Sequence, residues 1–160
     1  MLKITNNFLN PIISESMELS RRRKNFNFHK SDSDLMQRMI NVFNTYSYIQ
    51  PHRHLHPPKR EVFLILKGSL LVLEFSDLGS ITDWTVLNTN TGNFAVEILS
   101  GTWHTVYALE NETVVYELKD GPYNATTDKQ FALWAPAEND EAAISYVKNL
   151  VLTVIPDYKF

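Results

Sequence analysis

The stretch QPHRHLHPPKREVF, residues 50–63, decides the fold because it joins a histidine cluster to the start of an apolar strand. His52, His54 and His56 occupy alternate positions, and the chain has only five histidines in all. Successive side chains of a β-strand point to opposite faces, so we expect the three imidazoles to project to one side. Pro57 and Pro58 cannot continue a strand, so we expect it to end near His56.

Glu61 opens the next strand and shares its predicted inward face with Phe63 and Ile65. Two imidazoles and a carboxylate that converge from adjacent strands predict a divalent-metal site. A further ligand is available in ILSGTWHTVYAL, residues 98–109, where His104 follows a glycine-containing turn. Together these residues supply a set of three nitrogen ligands and one oxygen ligand.

Six segments, including the two that begin at Glu61 and His104, predict an antiparallel β structure, because they are short and rich in β-branched and aromatic residues. They are EVFLILKG, SLLVLEF, TDWTVLN, NFAVEIL, HTVYAL and TVVYELK, and turn-forming residues separate them. Many short strands without helices between them favour a sandwich or a barrel.

Two segments outside these strands carry helical periodicity. In DSDLMQRMINVFN, residues 32–44, one helical face would hold Leu35, Met39, Val42 and Phe43. In NDEAAISYVKNLV, residues 139–151, the corresponding face would hold Ile144, Val147, Leu150 and Val151. We therefore predict three parts: an N-terminal extension over residues 1–45 with a helix packed on the barrel, a β-barrel over residues 46–135, and a helical tail over residues 136–160.

The composition limits both the chemistry and the partners. The net charge of −3 offers no electrostatic attraction to nucleic acid or to an anionic membrane. The chain has no cysteine, so thiolate-bound metals, disulfides and cysteine nucleophiles are excluded. No segment approaches about 18 consecutive apolar residues, so we expect a cytoplasmic protein.

The joint pattern resembles the two motifs of the cupin superfamily. His54-Leu55-His56, four residues, Glu61, six residues and Gly68 match the spacing of the first motif. The segment from Leu99 to His104 matches the second, with Leu99 in place of a proline. The resemblance implies an all-β fold, the double-stranded β-helix or jelly-roll barrel, with short helical extensions at both termini. Because cupin barrels often pair, it also implies a homodimer.

The chain is also similar to a narrower family, the WbuC-type cupins found with bacterial surface-polysaccharide genes. The similarity is carried by RRRKNFNFH, QRMINVF, YIQPHRH, EVFLILKGSLLVLEFSDLGSI, VEI, GTWHTVYAL, ELKDGPYN, TDKQFA and WAP. In that family the recurring element is PHRH, which implies His52 and His54 as ligands, whereas the general cupin spacing implies His54 and His56. We favour His52, His54, Glu61 and His104, with His56 as the alternative ligand, because His56 directly precedes Pro57 and Pro58, where we expect the strand to end, whereas His52 lies further into the strand.

Three imidazoles and one carboxylate suit a divalent ion such as Zn, Fe, Mn, Ni or Co. The basic region before the barrel is a second candidate site, because arginine forks suit carboxylate or phosphate. Its candidate ligand-binding residues are Arg21, Arg23, Asn25, His29 and Arg38. The alternative interpretation is a solvated basic surface. No acid–base pair stands out, and Glu97, Glu117 and Asp120 merely lie near the second motif.

Three functions remain open at this stage. The first is a metal-dependent enzyme of surface-polysaccharide or sugar metabolism, an isomerase, epimerase or oxygenase, in which the ion polarises a small sugar or carboxylate. The second is a metallocupin that binds a sugar or a sugar acid without turnover. The third is a metal with a purely structural role.

Overall fold

The computed structural model describes all of residues 1–160, which form ten strands and two helices. In chain order these are α1 (Asn6–Glu18), β1 (Arg23–Asn27), β2 (Met36–Phe43), β3 (His52–Arg53), β4 (Glu61–Lys67), β5 (Leu70–Phe75), β6 (Ile81–Leu87), β7 (Ala95–Ile98), β8 (Trp103–Ala108), β9 (Thr113–Asp120), β10 (Gln130–Phe131) and α2 (Ala143–Val154).

The strands form two antiparallel sheets of five strands each. The first sheet has the order β1-β2-β9-β4-β7, and the second has the order β10-β3-β8-β5-β6. One apolar cluster lies between them and draws on both sheets, with Phe63 and Val115 from the first and Val72 and Val106 from the second. The predicted all-β class with helical ends is therefore confirmed.

Each helix covers the outer face of one sheet. Residues Leu9, Ile12 and Ile13 of α1 pack on β2 and β9 of the first sheet. Residues Val147, Leu150 and Val151 of α2 pack on the second sheet. This double cover explains why β8 is buried along its whole length, since neither of its faces meets solvent. Neither helix is both long and apolar enough to cross a membrane.

The helix predicted around residues 35–43 is wrong, because Met36–Phe43 form strand β2. Both faces of this strand are covered: Ile40 and Val42 pack under α1, whereas Met39 and Phe43 line a cavity between the sheets. Apolar residues on both faces hide the two-residue period of a strand and leave spacings of three and four, which resemble a helix.

The helix predicted near the C-terminus is confirmed as α2, but its predicted face is wrong at one position. Ile144 is 38% exposed, whereas Ala143 is 2% exposed and takes the buried position. Helix α1 was not predicted, because Asn6, Asn7 and Asn10 interrupt its apolar stripe. The three-part division of the chain stays a prediction, although β1 and β2 pair with the first sheet.

Candidate metal centre

The histidine stretch forms a short strand that ends earlier than predicted. Strand β3 consists only of His52 and Arg53, and His52 pairs directly with His104 of β8. His54 follows the strand, and its carbonyl accepts a hydrogen bond from the Gly101 amide at 3.0 Å. Gly101 has a φ of +79°, a backbone conformation that glycine adopts without strain. This turn therefore joins the two histidine segments directly.

Glu61 approaches the histidines from the opposite sheet. It is the first residue of β4 and lies between Ile98 of β7 and Lys119 of β9. Alternation along β4 places Glu61, Phe63 and Ile65 on the buried face, as predicted. The ligand atoms of four buried residues lie within 4.8 Å of one another: His52, His54, Glu61 and His104. We call these four residues the His/Glu cluster.

His56 does not belong to this cluster. It is exposed in the turn that follows Leu55, and it precedes a cis peptide bond to Pro57. The general cupin spacing, which pairs His54 with His56, is therefore not the pairing that the fold brings together. The assignment of the cluster residues as metal ligands stays a proposal, taken up below.

Backbone carbonyls hold the outer nitrogen of each imidazole in the cluster. The Nδ1 atoms of His52 and His104 lie 3.0 Å and 2.9 Å from the carbonyl oxygens of Gln50 and Thr102. The Nδ1 atom of His54 contacts the carbonyl oxygen of Asp128. A carbonyl oxygen can only accept, so each Nδ1 donates its proton there. This is the arrangement that leaves Nε2 as the metal-binding atom.

The inner nitrogens of His54 and His104 then face Glu61. The Nε2 atom of His104 lies 3.1 Å from Oε2, and the Nε2 atom of His54 lies 2.8 Å from Oε1. The His54 contact lies off the direction of a hydrogen bond, so this buried nitrogen has no hydrogen-bond partner. A neutral imidazole that donates from Nδ1 has only a lone pair at Nε2. A cation shared by these atoms would satisfy lone pairs and carboxylate together, so the residues fit a divalent metal.

The charge states of the cluster also suit a metal. Burial lowers the pKa of His52 well below its ordinary value, so its imidazole is neutral at pH 7. Burial alone would raise the pKa of Glu61, but contacts with His104 and His54 outweigh it and hold that pKa well below its ordinary value. His52 therefore presents a neutral nitrogen and Glu61 a carboxylate, the forms that bind metal ions.

A buried network of charges supports the cluster from behind. Asp128 accepts from the ammonium groups of Lys59 at 2.5 Å and Lys119 at 2.7 Å. The Lys119 ammonium also lies 3.7 Å from Glu61 Oε1. Since the Asp128 carbonyl holds His54, the network links Glu61 to His54. We call Lys59, Lys119 and Asp128 the Lys/Asp network.

A cavity of about 580 Å³ opens between the sheets and reaches the cluster. His52, Glu61 and His104 line it, so the cluster is open on one side. The remaining lining residues are Arg21, Arg23, Lys24, Asn25, Met39, Asn41, Phe43, Ile49, Phe63, Val106, Glu117, Lys119, Tyr123, Asp128, Lys129, Phe131, Glu138 and Asn139.

The fold brings only part of the predicted basic site to this cavity. Arg21, Arg23 and Asn25 line it, and Arg23 pairs with Glu138 at 2.6 Å. His29 and Arg38 do not line it: they contact each other through His29 Nδ1 and the backbone of Arg38. His29 lies beyond the end of β1, and Arg38 lies on β2, where its neighbours Met39 and Asn41 line the cavity instead.

Several polar residues of the cavity were missed from the sequence or, like Glu117, named only for lying near the second motif. Glu117 and Lys119 share the inward face of β9 with Val115, so charged residues at inward positions were the available signal. Asn41 gave the same signal on β2 and donates to Glu117 at 2.5 Å. Asp128 and Lys129 lie outside any periodic segment, and no local pattern points to them.

The architecture is that of the cupin fold, as solved structures show. A cupin-2 domain from Rhodospirillum rubrum is 11% identical, with a TM-score of 0.51 over 85% of this chain and 78% of that one. Protein SO0799 from Shewanella oneidensis is 12% identical, with a TM-score of 0.56 over 95% of this chain and 96% of that one. The capsular polysaccharide assembling protein CapF from Staphylococcus aureus is 20% identical, with a TM-score of 0.55 over 71% of this chain.

This chain spans 32% of the CapF chain, so the likeness concerns one part of that protein. At these identities the likenesses establish the fold alone. The model of a family described as a domain of unknown function, DUF6016, matches residues 4–87. The chain belongs to this family. No curated protein matches the chain.

Proposed function

We propose that this protein is a metallocupin that holds one divalent ion at His52, His54, Glu61 and His104, and that a small sugar or carboxylate ligand binds beside the ion in the cavity. The observation that carries the proposal is the pairing of three carbonyl-held imidazoles with one ionised carboxylate within 4.8 Å. Zn, Fe, Mn, Ni and Co all suit such a ligand set.

The open side of the cluster supports ligand binding over a purely structural ion. A structural site closes all coordination positions with protein atoms. Here His52, Glu61 and His104 instead line a cavity of about 580 Å³, which is in the size range of small-molecule sites. A bound ion would act as a Lewis acid that polarises a ligand oxygen.

The residues of the chain supply the rest of the proposed site. The side chains of Asn41, Glu117 and Lys119 are polar groups that face the ligand space, and Phe63 and Val106 give it apolar walls. Arg21 and Arg23 bring guanidinium groups to the same cavity. This mixture of apolar walls and a few polar groups is typical of sites for small polar molecules.

We propose a role in bacterial surface-polysaccharide or sugar metabolism, as an isomerase, epimerase or oxygenase. The WbuC-type similarity of the sequence motifs supports this assignment. CapF, a capsular polysaccharide assembling protein, shares the fold, and this likeness is consistent with the assignment without carrying it. A cytoplasmic location and a homodimer remain predictions from the sequence.

The test is the metal content of the purified protein and of five variants. We expect about one equivalent of divalent metal in the parent protein and in His56→Ala, whose side chain is exposed. His52→Ala, His54→Ala, Glu61→Gln and His104→Ala should each lose most of it, because each removes a ligand. Full occupancy in His104→Ala, or loss in His56→Ala but not in His52→Ala, would contradict the proposed ligand set.

A further inference from the structure

Lys129 is a cation of the cavity that has no partner in the protein. Its side chain makes neither a hydrogen bond nor an ion pair, although it lines the cavity together with Glu61 and Glu117. Both nearby carboxylates are already engaged, Glu61 with histidines and Glu117 with Asn41. The ammonium group therefore faces the ligand space without a counter-charge in contact.

The other cations of the cavity have carboxylate partners. Arg23 pairs with Glu138 at 2.6 Å, Lys24 pairs with Glu15 at 2.9 Å, and Lys119 pairs with Asp128 at 2.7 Å. The exposed Arg21 lies 3.7 Å from the same Glu138. Lys129 is the exception, because no carboxylate lies within ion-pair distance of its ammonium group. An anion in the cavity can therefore pair with Lys129 without displacing a protein partner.

The backbone around Lys129 is fixed on both sides. Asp128 before it belongs to the Lys/Asp network and holds His54. Gln130 and Phe131 after it form β10, which pairs with Arg53 and His52 of β3. The position of Lys129 relative to the His/Glu cluster is therefore set by rigid structure. Lys129 lies at the cavity rim, and its side chain is exposed to solvent.

The charge of the whole cavity favours an anion. Five cationic side chains and four carboxylates line it, and a divalent ion would add two positive charges. One of the carboxyl groups, Glu117, has a pKa that burial raises to about 7, so it is only partly ionised at neutral pH. With a metal bound, the ligand space is net positive and attracts negative ligands.

We infer that the ligand of this cavity carries a carboxylate or a phosphate, and that Lys129 binds this anionic group beside the metal. The inference rests on the proposed metal-binding function and adds the class of ligand and the residue that selects it. The neutral part of such a ligand would pack against the apolar walls of the cavity, and its acid group would lie between Lys129 and the ion. A small sugar acid or sugar phosphate has this chemistry.

The first experiment uses Co²⁺-loaded protein, whose visible spectrum reports ligands that reach the metal. Oxalate serves as the anionic probe and imidazole as the neutral probe. In Lys129→Gln we expect oxalate to bind about tenfold more weakly and imidazole to bind unchanged, with cobalt content unchanged. Lys129→Arg should restore oxalate binding, and Lys30→Gln, which removes an exposed lysine outside the cavity, should match the parent protein.

Unchanged oxalate binding in Lys129→Gln, or equal weakening of both probes, would overturn the inference, as would parent protein that takes up cobalt but binds no oxalate. Failure of the proposed function has a different signature, since the parent protein would then take up no cobalt. A second arm compares D-glucuronate, glucose 6-phosphate and D-glucose on the loaded parent protein. Tighter binding of either acid supports the inference and identifies its source, whereas binding of D-glucose at least as tight as both acids counts against it.

Discussion

His52 and His104 are paired directly across β3 and β8, and their ring centroids lie 4.5 Å apart. Each ring is held by a carbonyl two residues before it in the chain, Gln50 for His52 and Thr102 for His104. The same local arrangement thus occurs on two neighbouring strands, and it turns both Nε2 atoms toward Glu61 of the other sheet. The pairing of β3 with β8 therefore positions the two central histidines of the proposed site, and side chains on paired strands are held more precisely than side chains on loops.

Asp128→Asn should destabilise the protein strongly. The substitution removes the negative charge between the buried Lys59 and Lys119 ammonium groups and leaves both incompletely compensated. We expect a loss of about 3–5 kcal/mol in the free energy of unfolding, measured by urea denaturation. The control is Asp120→Asn, which breaks the exposed ion pair with Arg60 and should cost far less. Equal losses in the two variants would show that the Lys/Asp network does not stabilise the fold.

Glu117 should make the metal-free protein less stable as the pH rises. Burial, together with the charge of Glu61, raises its pKa to about 7 from an ordinary value of 4.5. Between these values the folded state binds more protons than the unfolded state, so this group lowers stability with rising pH. The difference in the free energy of unfolding between Glu117→Gln and the parent protein should therefore shift in favour of the variant, by on the order of 2 kcal/mol, between pH 5 and pH 7.5. Urea denaturation at both pH values, with a chelator present, measures this difference, and a constant offset would contradict the prediction.

Removal of the metal should leave the protein folded. Three apolar clusters hold the two sheets and both helices together, and none of them depends on the His/Glu cluster. After chelation we expect an unchanged far-ultraviolet circular dichroism spectrum and a cooperative melt, with a melting temperature lower by roughly 5–10 °C. Unfolding on chelation would instead support the structural role for the metal.

The packing of α2 on the second sheet can be tested with two leucines of the same helix. Leu150 is 9% exposed and packs in the outer cluster of that sheet, whereas Leu152 is 39% exposed. Leu150→Ala should lower the free energy of unfolding by about 2–3 kcal/mol because it leaves a cavity. Leu152→Ala should have a much smaller effect. If the two variants unfold at the same urea concentration, the described packing of α2 is wrong.

Much of the proposed site could be predicted because its residues are of rare types at regular spacing. Alternation placed His52 and His54 on one face, and Glu61 opens a strand whose inward positions are otherwise apolar. The choice between His52 and His56 needed the structure, because strand alternation places both side chains on the same face as His54. Only the early end of β3 and the turn at Pro57 show that His56 faces solvent.

The rest depends on contacts between distant parts of the chain. Strand β2 resembles a helix in sequence because both of its faces are covered: Ile40 faces α1, and Asn41 faces the cavity. The sequence of β2 alone shows neither α1 nor the cavity. Lys119 and Asp128 look like surface charges until the fold buries them against each other. Lys129 follows in an irregular segment, where no period indicates which way a side chain points.

The central claim, a divalent ion shared by the two histidine segments and Glu61, is tested most directly by anomalous diffraction. Crystals of the protein grown with Zn²⁺ would be measured above and below the zinc absorption edge. The account predicts one strong anomalous peak about 2.0–2.2 Å from the Nε2 atoms of His52, His54 and His104 and from a carboxylate oxygen of Glu61. A peak at His56 instead, or an intact cluster without any peak, would contradict it.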